Sequence, residues 1–82
     1  MKVKVLFFAT LRSLTGVKTI DLELHPGNKV SDLKVLVSEQ FPQAAIALEE
    51  SVLVAVNREF ADDEKIIPEG AEIALFPPVS GG

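Results

Sequence analysis

The sequence predicts a two-layer α+β domain, a mixed sheet packed on one main helix. Three observations carry that expectation. Residues 18–24 and 71–76 alternate apolar and polar side chains with the period of a strand. Residues 30–41 place apolar side chains at helical spacing, ahead of a proline. The elements run strand, strand, helix, strand, short strand, strand, an order that suits a sheet covered on one side.

Composition narrows the function classes. With 82 residues and 48% hydrophobic content, the chain is one domain with one core. At that size stability is marginal and a sizeable internal active-site cavity is not expected. There is no cysteine, which excludes a disulfide framework, a thiol nucleophile and thiolate metal ligation within the chain, and fits a reducing compartment. The net charge of −4 leaves no basic stripe to neutralise phosphates, so nucleic acid is not an expected partner. The longest apolar run, residues 52–56, is far too short to span a bilayer, so no membrane span is expected. The Met1-Lys2-Val3-Lys4 start shows no cleavable leader, and the expected location is cytoplasmic.

In chain order, residues 3–8 read as the first strand. Val3, Val5 and Phe7 share one face; Lys2, Lys4, Leu6 and Phe8 share the other. The lysines mark the second face as the wetter one. Phe8 therefore points outward, either as a contact residue or under the domain's own loops. Residues 10–14 form one helical turn closed by Gly16, with Leu11 and Leu14 inward and Arg12 outward. Residues 18–24 form a half-buried strand, hairpinned to the first. Its Ile20, Leu22 and Leu24 face in, while Thr19, Asp21 and Glu23 face out. His25-Pro26-Gly27-Asn28 is a turn. His25, the only histidine, lacks a carboxylate or hydroxyl motif to work with and reads as a surface residue.

Ser31 reads as an N-cap, and Asp32 complements the helix dipole behind it. Val30, Leu33, Leu36, Val37 and Phe41 form the apolar stripe of the main helix, and Pro42 ends it. Residues 43–50 are short and mixed, with a helical turn near Ala44. Residues 51–56 read as a strand covered on both faces. Asn57-Arg58 turns the chain and Glu59-Phe60 begins a short return strand. Asp62-Asp63-Glu64-Lys65 lacks the spaced oxygen ligands and glycine of a calcium loop, so it reads as a solvated loop with no metal. Ile66-Ile67 returns to the core and Pro68-Glu69-Gly70 turns back. In the last strand Ala71, Ile73 and Leu75 share one face; Glu72, Ala74 and Phe76 share the other. The plausible closure is a β-grasp, with first and last strands central and parallel. Phe8 and Phe76 then meet, and Phe60 joins them in a hydrophobic docking patch.

Residues 1–76 are the folded domain and residues 77–82, Pro77-Pro78-Val79-Ser80-Gly81-Gly82, an extended tail. The prolines favour an extended path and cannot donate to a sheet. Six such residues reach about 20 Å. Gly81 and Gly82 have no Cβ, so they can thread a narrow channel and deliver the Gly82 carboxylate to a buried site for activation as an acyl-adenylate. The other reading of the pair is a frayed end.

Val5-Leu6-Phe7-Phe8-Ala9, the turn Val56-Asn57 and the ending from Leu75 through Phe76, Pro77 and Pro78 to Gly82 resemble the MoaD family of ubiquitin-like sulfur carriers, the small subunits of molybdopterin synthase. The resemblance covers the whole chain, and the long Phe-Pro-Pro-Val ending is more specific than Gly-Gly alone. It implies that a MoeB-like, ATP-dependent activating enzyme adenylates Gly82 and that sulfur is installed there as a thiocarboxylate. It further implies that Pro77, Pro78, Val79, Ser80 and Gly81 insert into a MoaE-like large subunit, in a heterotetramer. There sulfur passes to cyclic pyranopterin monophosphate and builds the molybdopterin dithiolene. Family contacts to the large subunit map onto Phe8, Phe60 and Phe76. The chain binds no cofactor itself; ATP belongs to the activating enzyme. A thiocarboxylate sulfur is a good nucleophile where a carboxylate is poor, so loading precedes transfer. With no base, metal or oxyanion site of its own, the chain is a non-catalytic donor subunit. Two other readings stand beside this one: a related carrier for thiamine, cysteine or tRNA thiolation, and a ubiquitin-like modifier or plain binding module.

Overall fold

A computed structural model describes residues 1–78. Its elements are β1 (Lys2–Phe7), α1 (Ala9–Thr15), β2 (Thr19–Glu23), α2 (Val30–Gln40), a 3₁₀ turn (Pro42–Ala44), α3 (Ala45–Glu50), β3 (Leu53–Val56), β4 (Glu59–Ala61) and β5 (Glu72–Phe76). The strands form one mixed sheet in the order β2-β1-β5-β3-β4. β1 and β5 pair in parallel at its centre, Lys4 opposite Glu72 and Phe7 opposite Leu75. β2 is antiparallel to β1, β3 to β5 and β4 to β3. This is the expected β-grasp.

Alternation decides what each strand buries. Val3, Val5 and Phe7 of β1 and Ile73 and Leu75 of β5 point to one side and are buried. There they meet Val30, Leu33 and Val37 of α2, also buried, with Leu11 of α1 and Leu48 of α3 completing the core. Each such side chain contributes about 1.5–3 kcal/mol on burial. The Phe7 and Phe41 rings meet edge to face, centroids 5.6 Å apart. All helices lie on this side of the sheet. Among the described residues no helix is long and apolar enough to cross a membrane.

The structure corrects several expectations. β1 stops at Phe7, and Phe8 is the extended residue before α1. α1 is a seven-residue helix, longer than the expected turn, and it closes at Gly16 in the left-handed conformation (φ 77°). Leu11 is buried but Leu14 is 38% exposed, because the inward pair is Leu11 and Thr15, one turn apart at i, i+4. Burial of Thr15 is tolerated since its hydroxyl donates to the Val17 carbonyl at 3.2 Å.

The main helix begins at Val30, with Lys29 and not Ser31 in the cap position. Its first N–H groups are satisfied from elsewhere. Those of Val30 and Ser31 donate to the carbonyls of Lys65 (2.9 Å) and Asp63 (3.0 Å), and that of Lys29 to the Asp32 carboxylate (2.8 Å). The acidic loop is thus exposed but not merely solvated: its backbone caps the helix. Two ion pairs support it, Lys29 Nζ to Glu64 Oε2 at 2.7 Å and Lys34 Nζ to Asp63 Oδ1 at 2.6 Å.

At the other end Phe41 is the C-cap, outside the helical stripe, and packs through its ring instead. α3 forms a six-residue helix where a single turn was expected. β3 is shorter than predicted; its Val54, Ala55 and Val56 are buried on both faces, but Leu53 is exposed. Only Ile67 of the Ile66-Ile67 pair enters the core, Ile66 being 57% exposed.

Candidate functional site

The helix-free face of the sheet carries the candidate site. With Val5 and Phe7, and Ile73 and Leu75, committed to the core, the intervening Leu6, Ala74 and Phe76 must face the other way. The register places Leu6 beside Ala74 on one flank of β5, and Ala55 beside Ala74 and Phe60 on the other. Small residues therefore floor the middle of this face, and aromatic rings rise around them.

Phe8, Phe60 and Phe76 come together as predicted. The Phe8 and Phe76 rings stack with centroids 4.8 Å apart and planes 16° from parallel. Phe60 tilts against Phe76 at 6.4 Å and 60°. Such pairs gain about 0.5–1.5 kcal/mol beyond area burial. Yet Phe60 is 76% exposed and Phe8 is 40% exposed, so the fold leaves much of this aromatic surface in water. A groove of about 290 Å³ runs between the rings over Leu6, Ala55 and Ala74. An exposed apolar surface of this kind, with a polar edge, suits protein docking.

The edge is polar because Arg58 and Glu72 line the same groove. They sit where the β3–β4 turn is tied to the start of β5. The Asn57 N–H donates to the Glu72 carbonyl at 2.8 Å, and the Glu72 N–H donates to Asn57 Oδ1 at 3.0 Å. Asn57 and Arg58 both have positive φ, 50° and 70°. The sequence signalled a turn here; it did not show that Arg58 reaches the aromatic face. Nor did it single out Leu6, Ala55 and Ala74 as the groove floor, although alternation along the first and last strands assigns two of them.

The chain leaves β5 at Phe76 directly into Pro77, half-buried, and Pro78, exposed. The aromatic patch therefore lies at the root of the C-terminal segment. The predicted roles of Val79, Ser80, Gly81 and Gly82 fall outside the described residues. Among the described residues no group of three or more His, Cys, Asp or Glu side chains is placed to hold a metal. His25 is exposed on its turn, where its backbone N–H donates to Asn28 Oδ1 at 2.9 Å.

The model of the ThiS family matches residues 5–82. The chain belongs to the ThiS family. This ThiS-family chain is 35% identical over 85 residues to the molybdopterin synthase sulfur carrier subunit of Arabidopsis thaliana, covering 100% of this chain and 84% of that one. It is 36% identical over 81 residues to the subunit of that name from Escherichia coli (strain K12), covering 98% and 99%. Among solved structures it matches SAMP1 from Haloferax volcanii with a TM-score of 0.87 and 27% identity over 100% of both chains. The resemblance read from residues 5–9, Val56-Asn57 and the C-terminal segment agrees with these matches, which span the chain.

Proposed function

We infer that this chain is the sulfur-carrier subunit of molybdopterin synthase. The observation that carries this reading is the Phe8–Phe76–Phe60 face at the root of the C-terminal segment, in a chain matched over its length to carriers of that name. In this reading the face docks on the large subunit while residues 77–82 reach into its active site. The Gly82 carboxylate attacks the α-phosphorus of ATP on an activating enzyme, and pyrophosphate leaves. Hydrosulfide then attacks the adenylated carbonyl carbon, AMP leaves, and a thiocarboxylate remains. On the large subunit that sulfur attacks cyclic pyranopterin monophosphate, water then cleaves the carbonyl–sulfur bond to return the Gly82 carboxylate, and two such transfers form the dithiolene. The chain supplies the nucleophilic sulfur and its placement; its partners supply the proton transfers and charge stabilisation. Two carriers on a dimer of large subunits, in the cytoplasm, complete the assembly.

Intact-mass measurement of the protein from its own cells tests the reading. Replacing the terminal OH by SH adds about 16 Da, so fragmentation must place the shift at Gly82 and away from an oxidised Met1, which gains nearly the same mass. Loading with ATP, activating enzyme and a sulfur donor is expected for the native chain and lost when one residue is added after Gly82. Normal loading of the extended chain overturns the tail mechanism. The match to SAMP1, whose name is small archaeal modifier protein 1, favours a second reading, a protein modifier joined through Gly82. Isopeptide adducts on lysines in place of a thiocarboxylate would establish it.

A further inference from the structure

We propose that Arg58 is a partner-recognition residue, which receives a carboxylate of the molybdopterin synthase large subunit when the aromatic face is covered. The inference rests on the docking reading above and adds its charge specificity.

The backbone is the first observation. β3 and β4 are joined by two residues, Asn57 and Arg58, with φ of 50° and 70°. Two-residue hairpins favour this left-handed pair because its twist matches the strands, and they favour asparagine then glycine in it. Asn57 fits that preference, and its side chain and N–H lock the turn onto Glu72. Position 58 does not fit. Glycine would serve the turn there without steric cost, while a Cβ is strained. What arginine adds at this position is its side chain.

That side chain is the second observation. Arg58 lines the groove alongside Phe8, Phe60 and Phe76. It is exposed, and it forms no ion pair among the described residues, even though Glu72 lines the same groove and Glu59 follows it in sequence. In water that costs nothing. Once a partner covers the rings, the guanidinium at their edge loses solvent. There it must find acceptors or weaken the complex. A carboxylate is the matching group, since the planar guanidinium fork offers it two parallel N–H donors. Glu72 asks for a donor in the same way. The surface that fits is therefore apolar at its centre and carries an acid opposite Arg58. Rings alone permit rotation about the contact; a charge pair at the edge fixes the orientation in which the C-terminal segment is presented.

The test titrates purified large subunit against the wild type and the Arg58→Gly, Arg58→Lys and Phe76→Ala variants, with thermal unfolding of each. Arg58→Gly relieves strain, so its Tm is expected to be unchanged or raised by about 4 °C. Its Kd is nevertheless expected to rise roughly tenfold, with a weaker dependence on salt, and Arg58→Lys to recover part of the loss. A residue that served only the turn would not join gained stability to lost binding. Wild-type affinity and salt dependence in Arg58→Gly overturn the proposal. If Phe76→Ala alone weakens binding, the docking face stands and only the role of Arg58 falls. If neither variant weakens binding, both readings fall.

Discussion

Along β5, neighbours one position apart do opposite work: Leu75 is sealed in the core, and Phe76 stands on the open face between Phe8 and Phe60. Phe60 separates the needs of the fold from those of docking most cleanly, because it is 76% exposed. Phe60→Ala is expected to lower the unfolding free energy by about 0.5 kcal/mol, the low end for an aromatic pair, because its ring is mostly in water. Binding to the large subunit is expected to weaken by about 1–3 kcal/mol, as for an aromatic anchor. Urea denaturation and calorimetric titration measure the two. A stability loss as large as the binding loss would return Phe60 to the fold and remove it from the interface. Phe8 and Phe76 were legible in the sequence because a strand period of two leaves little freedom once the apolar side is assigned, whereas Phe60 was added only from its place on the short return strand. Leu14 was misread for the corresponding helical reason: positions three and four residues from Leu11 both lie near its face, and packing selected Thr15. Arg58 was not legible as a site residue, since Asn57-Arg58 announces a reversal without showing which side chain overlooks a face made by β1 and β5.

At the scale of elements, α2 shows what local sequence leaves out. Its N-terminal donors are satisfied by loop carbonyls some thirty residues downstream, and Lys29 forms an isolated bridge with Ile66. No reading of Ser31-Asp32 alone contains that partner. The same junction has a pH signature. The hydrogen bond and charge of Glu64 raise the Lys29 pKa above its ordinary 10.5. A group whose pKa rises on folding stabilises the native state fully below its unfolded value, and that contribution is lost as pH climbs through the folded value. Wild type and Glu64→Gln are therefore expected to differ by a constant stability from neutrality to about pH 10.5, with the gap closing above it. Urea midpoints across that range check the sign. A gap that widens at alkaline pH would contradict the pairing.

For the molecule as a whole, the layering explains where function can go. Every helix contributes to the core on one side of the sheet, and none covers Phe8 and Phe60 on the other, which stay exposed. The parallel pairing of β1 with β5 at the centre was expected from the β-grasp closure, while the places of β3 and β4 beyond β5 were not read from the sequence. What sequence also left open was how completely the helices cover their side, which depends on α3 and the 3₁₀ turn packing against α2 and α1. Because β5 lies between β1 and β3, a chain ending at Gly70 would leave two central strand edges unpaired. Such a chain is expected to lack the cooperative unfolding transition and the slow amide exchange of the whole domain. A cooperative melt of that truncated chain would show that the helices and outer hairpins stand without the centre.

The position of β5 also has a meaning in time. Synthesis runs from β1 towards β5, yet the slot that β5 fills is the middle of the sheet. Until that strand emerges, the nascent chain has a gap at its centre and Phe8 has no ring to stack on. The surface that a partner would read is assembled by the same stretch that leads into Pro77 and Pro78. A product terminated before β5 therefore lacks the stacked aromatic face. Formation of the aromatic face is thereby tied to the emergence of β5, the stretch that joins that face to Pro77 and Pro78.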